Sequence, residues 1–412
     1  MAKPLINISR RQALFFAFFL VLYEFLTYVA NDMIMPGMIK VVESFHGPET
    51  AIATSLTLYI LGGASLQLVL GPLSDRYGRR PVMLFGAALF FLCTILISCS
   101  NSINQFLVAR YFQGMGLCFI SVIGYATLQE IFAEMDAIRL ISLMANVSTM
   151  APLIGPLLGA IFIHYYSWRF IFAIIGFFAF IAFLGLKRFM PEPVGQTKSD
   201  GTVIERISLS PRVVAKNYKE LLKNQCFVLS SIALGLLSLP CIAWIALAPI
   251  ILVTDAHLSI IEYGLWQLPL FTATILGNWF LRRLTSHGTV KKILLLGSVI
   301  AVLGLAFTFI LPFFAGNYFF WLLPGLIVYF FGLGIVTAPL SRFILFSTPI
   351  AKGTTSALMS MITMCVISLG IEGANFLYKT HSNILFAAYS ALIGFIYLIL
   401  LARALNLNEE AH

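Results

Sequence analysis

The sequence predicts an all-α polytopic membrane protein with twelve transmembrane helices in two six-helix bundles, and three observations point there. First, the 412 residues are 60% hydrophobic and only 10% charged, with mean hydropathy +0.94, which is more apolar surface than a water-soluble domain could bury. Second, apolar runs long enough to cross a bilayer, about 20 residues each, recur along the whole chain. Third, 21 of the 26 Lys and Arg residues fall at the termini or in the alternate loops that share their side, whereas Lys40, Arg169 and Lys379 face the opposite side. Positive charge marks cytoplasmic loops, so both termini are expected in the cytoplasm. The net charge of +9 is then a matter of topology, and no basic-aromatic module suggests nucleic acid as a partner.

The first run, 12–38, follows a basic start. It is too long for a signal-peptide core and has no small-residue cleavage site, so it is expected to stay as the first helix. Runs at 51–73, 82–100, 103–127, 138–163 and 168–190 complete a first bundle, 1–190. The hydrophilic stretch 187–225 then interrupts the pattern, and its segment "VVAKNYKELLKN" has the spacing of a short amphipathic helix, read as a tether at the membrane surface. The second bundle, 225–412 after a linker of 191–224, holds runs at 225–254, 258–281, 293–314, 318–346, 353–378 and 382–405. "GPLSDRYGRRP" (71–81), taken as the loop after the second helix, and "LRRLTSHGTVKKI" (281–293), after the eighth, are loosely alike. They occupy equivalent places in two parallel halves, an arrangement that puts a substrate site near the midplane between the halves.

Chemistry concentrates where charge has no business being. "VLYEFLTYVANDMIMPGM" (21–38) holds Glu24 and Asp32 in an apolar run, and an ionised carboxylate in hydrocarbon costs several kcal/mol unless it faces water, a partner or a proton. With a rise of about 1.5 Å per residue, Glu24 comes near mid-membrane, while Asp32 and Arg110 of the fourth run share a level about 10 Å below the surface. Asp32 and Arg110 are therefore expected to form a functional pair, with Gln113 on the same helix face at i, i+3. Asp32 also fits a helix-end cap before Pro36. Gly71 and Gly78 allow close approach and tight turning, and Asp75 can accept hydrogen bonds at a helix N-terminus such as the one near Lys352–Ser356. "APLIGPLLG" (151–159) combines Gly155 and Gly159 at GxxxG spacing with Pro152 and Pro156, a pattern for close packing and bending. Arg342 reaches the cytoplasmic interface, where snorkelling is its default reading.

The motifs "GPLSDRYGRRP", "FLVARYFQGMG" (106–116) and "APLIGPLLG", in that order on the second, fourth and fifth runs, resemble the signatures of the major facilitator superfamily and of its drug/proton antiporter branch. "LYEFLTYVANDMIMPGM", "LMANVSTMAPLIGPLLG", "SLPCIAWIALAPII" and "EYGLWQLPLF" are similar, more narrowly, to the MdfA-type multidrug/proton antiporters. The resemblance implies that Glu24 and Asp32 bind protons and substrate, that Arg110 organises the site, and that Tyr28, Asn31 and Met144 line the pocket. It also implies a gating cluster of Asp75, Arg79 and Glu130 and a gating effect of Arg342. Tyr263 and Gln267 are expected to contribute adaptable walls from the second half.

The expected function is proton-coupled efflux of lipophilic cationic and neutral compounds by alternating access, in a bacterial inner membrane, by a monomer. The partners are then drugs, protons and the lipid bilayer. The competing readings are export of one endogenous metabolite such as a siderophore, and an intramembrane receptor or enzyme. No phosphate loop is present for ATP, and the histidines lack paired spacing, so neither cofactor nor metal is expected. Six scattered cysteines without CxxC spacing read as packing residues.

Overall fold

The computed structural model describes residues 4–132, 134–197, 201, 203, 211–284, 290–350 and 352–410. Lys3, Lys198, Arg206, His287 and His412, which enter the charge and histidine readings, lie outside them. The helices in chain order are α1 (Arg10–Asp32), α2 (Met38–Ser44), α3 (Ala51–Ser65), α4 (Gln67–Tyr77), α5 (Arg79–Ser98), α6 (Ile103–Gly114), α7 (Gly116–Cys118), α8 (Tyr125–Ile131) and α9 (Glu134–Tyr165). They continue with α10 (Trp168–Phe189), α11 (Pro211–Lys223), α12 (Gln225–Ala248), α13 (Ile260–Leu284), α14 (Val290–Ala315), α15 (Leu323–Phe346), α16 (Lys352–Tyr378) and α17 (Asn383–Glu410). Two isolated bridges are the sole β pairing among the described residues.

Local chemistry sets many of the boundaries. Ser9, Ser102 and Asn224 accept hydrogen bonds from the backbone N–H of Gln12, Gln105 and Phe227 at the starts of α1, α6 and α12. Ser259 and Glu262 form a reciprocal capping box at α13. Several buried hydroxyls return to their own helix: Thr94, Thr127, Ser298 and Thr308 each donate to the carbonyl four residues back. The opposite faces are apolar and bare, with Phe177, Phe314, Leu369 and Phe395 at 60% exposure or more, as a lipid-facing surface requires.

Among the described residues, nine helices are long and apolar enough to span a membrane, or ten if the bent pair α3–α4 is one span. Single helices α9 and α13, of 32 and 25 residues, occupy the places of the expected fifth and eighth runs. Besides the bent second run, three runs are less regular than the sequence suggested. The first breaks after Asp32 at a short 3₁₀ turn through Pro36. The fourth and seventh carry π-helical stretches at Phe119–Gly124 and Pro249–Asp255, a distortion common near functional sites. "GPLSDRY", expected as loop, is helical to Tyr77, and the turn is confined to Gly78, whose φ of 103° suits glycine.

The chain divides into two compact units. The first comprises Met1–Ile34, Leu58–Gly155 and Tyr165–Lys216; the second comprises Met35–Thr57, Pro156–His164 and Asn217–His412. In the first, α10 packs on α1 and α5. There α3 and α6 touch backbone to backbone, because Gly62 lies against the Tyr111 carbonyl and Gly114 against that of Tyr59. In the second, α14 lies along α15, with Gly304 against the Tyr329 backbone and Gly325 against Thr308.

Candidate functional site

Helix α1 places Glu24, Tyr28 and Asp32 at i, i+4 and i+8, on one face. Glu24 is 1% exposed and Asp32 4%, so both carboxyls are enclosed in protein. The Tyr125 hydroxyl donates to Glu24 Oε1 at 2.7 Å. Glu24 Oε2 is buried with no hydrogen-bond partner among the described residues. A carboxyl with one satisfied and one open oxygen can accept a proton or a cationic group at the open one.

Asp32 and Arg110 are joined through Asn31. The Arg110 Nη2 donates to Asn31 Oδ1 at 2.8 Å, and Asn31 Nδ2 donates to Asp32 Oδ1 at 3.1 Å. Arg110 Nη1 donates to Gln113 Oε1 at 2.9 Å and to the Ala30 carbonyl at 3.2 Å. Gln113 Nε2 donates onward to Thr94 Oγ1 at 2.8 Å. The guanidinium lies 4.5 Å from the centroid of the Tyr59 ring, which the α3–α6 approach delivers and the bond from Tyr59 to the Thr27 carbonyl, 2.6 Å, holds. This polar chain crosses from α1 through α6 to α5 in the apolar interior of the first unit, and fully buried Arg110 is its hub.

Gly155 explains why α9 belongs beside this chain. A Cβ there would sit 2.9 Å from the Asp32 Cβ and 3.4 Å from the Met33 nitrogen, so only glycine allows the contact. Pro152 lies one turn before it, half-buried; Pro156 and Gly159 are buried, as is Met144 at 0% exposure on the same helix. Gly71 behaves otherwise. A Cβ there would meet Val122 Cγ1 alone, at 3.9 Å, so the close approach expected at Gly71 is absent: its neighbours leave room for a side chain.

In the second unit, Tyr263 and Gln267 lie one turn apart on α13, each 1% exposed. The indole N–H of Trp244 donates to Gln267 Oε1 at 2.9 Å. That bond fixes the amide orientation and leaves Gln267 Nε2 buried without a partner among the described residues.

The signature at the α4–α5 junction folds into an ionic cluster. Arg79 pairs with Asp75 at 2.7 Å and with Glu130 at 2.8 Å, and also donates to Ser74 Oγ. Glu192, just beyond α10, escaped the sequence reading. Its two oxygens accept the backbone N–H of Arg79 at 2.9 Å and of Arg80 at 3.0 Å, which caps α5 with a carboxylate at its positive end. A Cβ at Gly78 would collide with this same carboxylate. Arg342 is exposed and stacks over Phe346 at 4.7 Å. The six cysteines are free, and among the described residues no group of three or more His, Cys, Asp or Glu is arranged for a metal.

Comparison with known proteins agrees with this architecture. A family model described as Major Facilitator Superfamily matches residues 20–371. The chain is 43% identical over 391 residues to the multidrug transporter MdfA of Escherichia coli O157:H7, covering 95% of this chain and 93% of that protein. It is 42% identical over 409 residues to the MdfA of Yersinia pestis, covering 99% and 98%. Among solved structures, the partially occluded inward-open xylose transporter XylE from E. coli superposes with TM-score 0.70 at 13% identity, covering 95% of this chain and 98% of that one. A bacterial homologue of the human lysosomal transporter Spinster gives 0.69 at 13% identity, covering 97% of each. The structures share the fold; the sequence relatives carry the closer kinship, and the chain belongs to the major facilitator superfamily, among its MdfA-type transporters.

Proposed function

We propose that the protein is a multidrug exporter that exchanges protons for lipophilic cationic and neutral compounds by alternating access, as a monomer in a bacterial inner membrane with both termini in the cytoplasm. The two six-helix bundles are 1–190 and 225–412, joined by the linker 191–224. The observation that carries the reading is the pair of enclosed carboxyls on one face of α1, with Glu24 Oε2 left open. Such an oxygen can hold a proton or a cationic group, and the competition between them couples the two fluxes. Asp32 answers to Arg110 through Asn31, so its charge state and the position of the arginine change together.

Neutral compounds need no carboxylate. In the second unit, Gln267 has a buried N–H without a partner among the described residues for an acceptor on such a compound, with Tyr263 one turn away; in the first, Met144 offers apolar surface and Tyr28 stands between the two acids. Asp75, Arg79 and Glu130 act as a gate at the cytoplasmic end, and exposed Arg342 affects gating. Relatives named as multidrug transporters, at 42–43% identity over nearly the whole chain, support the breadth of substrates.

Drug-stimulated proton release by purified protein, measured with one cationic and one neutral compound, tests the division of labour. Glu24→Gln should abolish the response to the cation and keep part of the response to the neutral compound, and Asp32→Asn should impair both. Loss of both responses in Glu24→Gln with both spared in Asp32→Asn would exchange the roles. Efflux that survives a protonophore and needs ATP would end the proposal.

A further inference from the structure

In the second unit, three pieces of chain meet at one imidazole. His381 lies in the turn between α16 and α17. Its Nδ1 is 2.7 Å from Asp255 Oδ1, at the end of the π-helical stretch after α12, and its Nε2 is 3.5 Å from Glu49 Oε2, just before α3. The three side chains keep access to solvent, at 45%, 22% and 39% exposure respectively.

The surroundings hold the ring between these acids. The Tyr378 hydroxyl, 2.6 Å from Asp255 Oδ2, fixes that carboxylate. Asn317 Nδ2 donates to the His381 carbonyl at 3.2 Å, and Asn375 Nδ2 donates to the Thr50 carbonyl at 3.1 Å, next to Glu49. Lys379 precedes the turn with its ammonium 5.3 Å from the Phe376 ring centroid, and Glu372 Oε2 lies 3.4 Å from Asn375 Nδ2. The backbone of His381 is left-handed, with φ 51°, and its N–H donates to the Tyr378 carbonyl at 2.8 Å, as in a helix C-cap where glycine is the ordinary occupant. A strained conformation kept at a solvent-accessible ionic contact points to a role for the side chain.

A neutral imidazole has one N–H and can donate to one carboxylate, leaving its other nitrogen's lone pair facing the second acid. The imidazolium donates to both. We propose that His381 is a proton-binding latch, distinct from the acids of α1, which when protonated from the outer side ties the 48–51 segment to the end of the seventh span and to the α16–α17 turn. Loss of the proton releases Glu49 and keeps the shorter contact to Asp255. The latch therefore holds while the imidazole carries both protons and loosens when one is lost. Its place in a transport cycle rests on the alternating-access reading, but its chemistry does not.

The test is a spin-label distance between Pro48→Cys and Ala315→Cys in the full chain in lipid nanodiscs, with exposed Cys99 replaced by Ser and no drug present. The distance should lengthen as pH is raised from acid to alkaline. His381→Asn, which tolerates the left-handed backbone but cannot take a proton, should give the long distance at every pH. Glu49→Gln, which leaves the turn intact, should lose most of the pH response. A pH response unchanged in both variants, a short distance at all pH in His381→Asn, or no response in the parent protein would each overturn the latch. Drug-stimulated proton release by the same variants separates this outcome from failure of the transport reading, since the latch variants keep the response that Glu24→Gln loses.

Discussion

Replacing Asn31 by Leu removes a link that no charge in the sequence announces while keeping the side chain's size. Asn31 makes one hydrogen bond to a guanidinium, at 2.8 Å, and one to a carboxylate, at 3.1 Å. Hydrogen bonds to charged groups contribute about 1.5–3 kcal/mol each, so the gross loss is about 3–6 kcal/mol. Direct attraction between Asp32 and Arg110 recovers part of it, and a net penalty of about 3 kcal/mol on the working geometry corresponds to roughly 100-fold in rate. Drug/proton exchange in proteoliposomes should fall by that order for both a cationic and a neutral compound. Thr94→Val supplies the contrast: it cuts the far end of the same chain, a neutral bond to Gln113 of about 1 kcal/mol, and should cost about fivefold. An Asn31→Leu protein that exchanged both compounds within about threefold of the parent rate would refute the relay and leave Asn31 as packing.

Three further outcomes follow from the contacts. Gly155→Val should lower Tm by an amount equivalent to about 1–3 kcal/mol and suppress exchange, because its Cβ meets Asp32, whereas Gly71→Ala should be neutral or slightly stabilising in the same melt. Glu192→Ala uncaps α5 and should cost about 1–2 kcal/mol in thermal unfolding; turnover should change while drug affinity in detergent stays within about twofold, because Glu192 serves the cluster of Arg79 and not the acids of α1. Trp244→Phe leaves Gln267 Oε1 without its donor, so binding of a neutral acceptor-bearing drug, measured by tryptophan-independent radioligand titration, should weaken while that of a cation is preserved.

Glu24 and Asp32 were conspicuous in the sequence because a bilayer makes any buried acid an exception, and Arg110 was conspicuous for the same reason. Composition fixes the membrane class, and the three motifs carry the likeness to the superfamily. The boundaries were less legible. The bend between α3 and α4, 42°, and the helical course of "GPLSDRY" depend on packing that hydropathy does not encode.

Partners were hidden for a different reason. Asn31, Tyr125, Trp244 and Glu192 are unremarkable residue types in their local windows, and their contacts join positions 79, 101, 23 and 113 residues apart. Hydropathy and charge are properties of single residues, summed over a window about as long as the membrane is thick, so the sequence alone determined that this chain spans a bilayer and which charges are out of place there. Which donor meets which acceptor depends on directions and distances of about 3 Å between separate helices, and that only the tertiary structure decided.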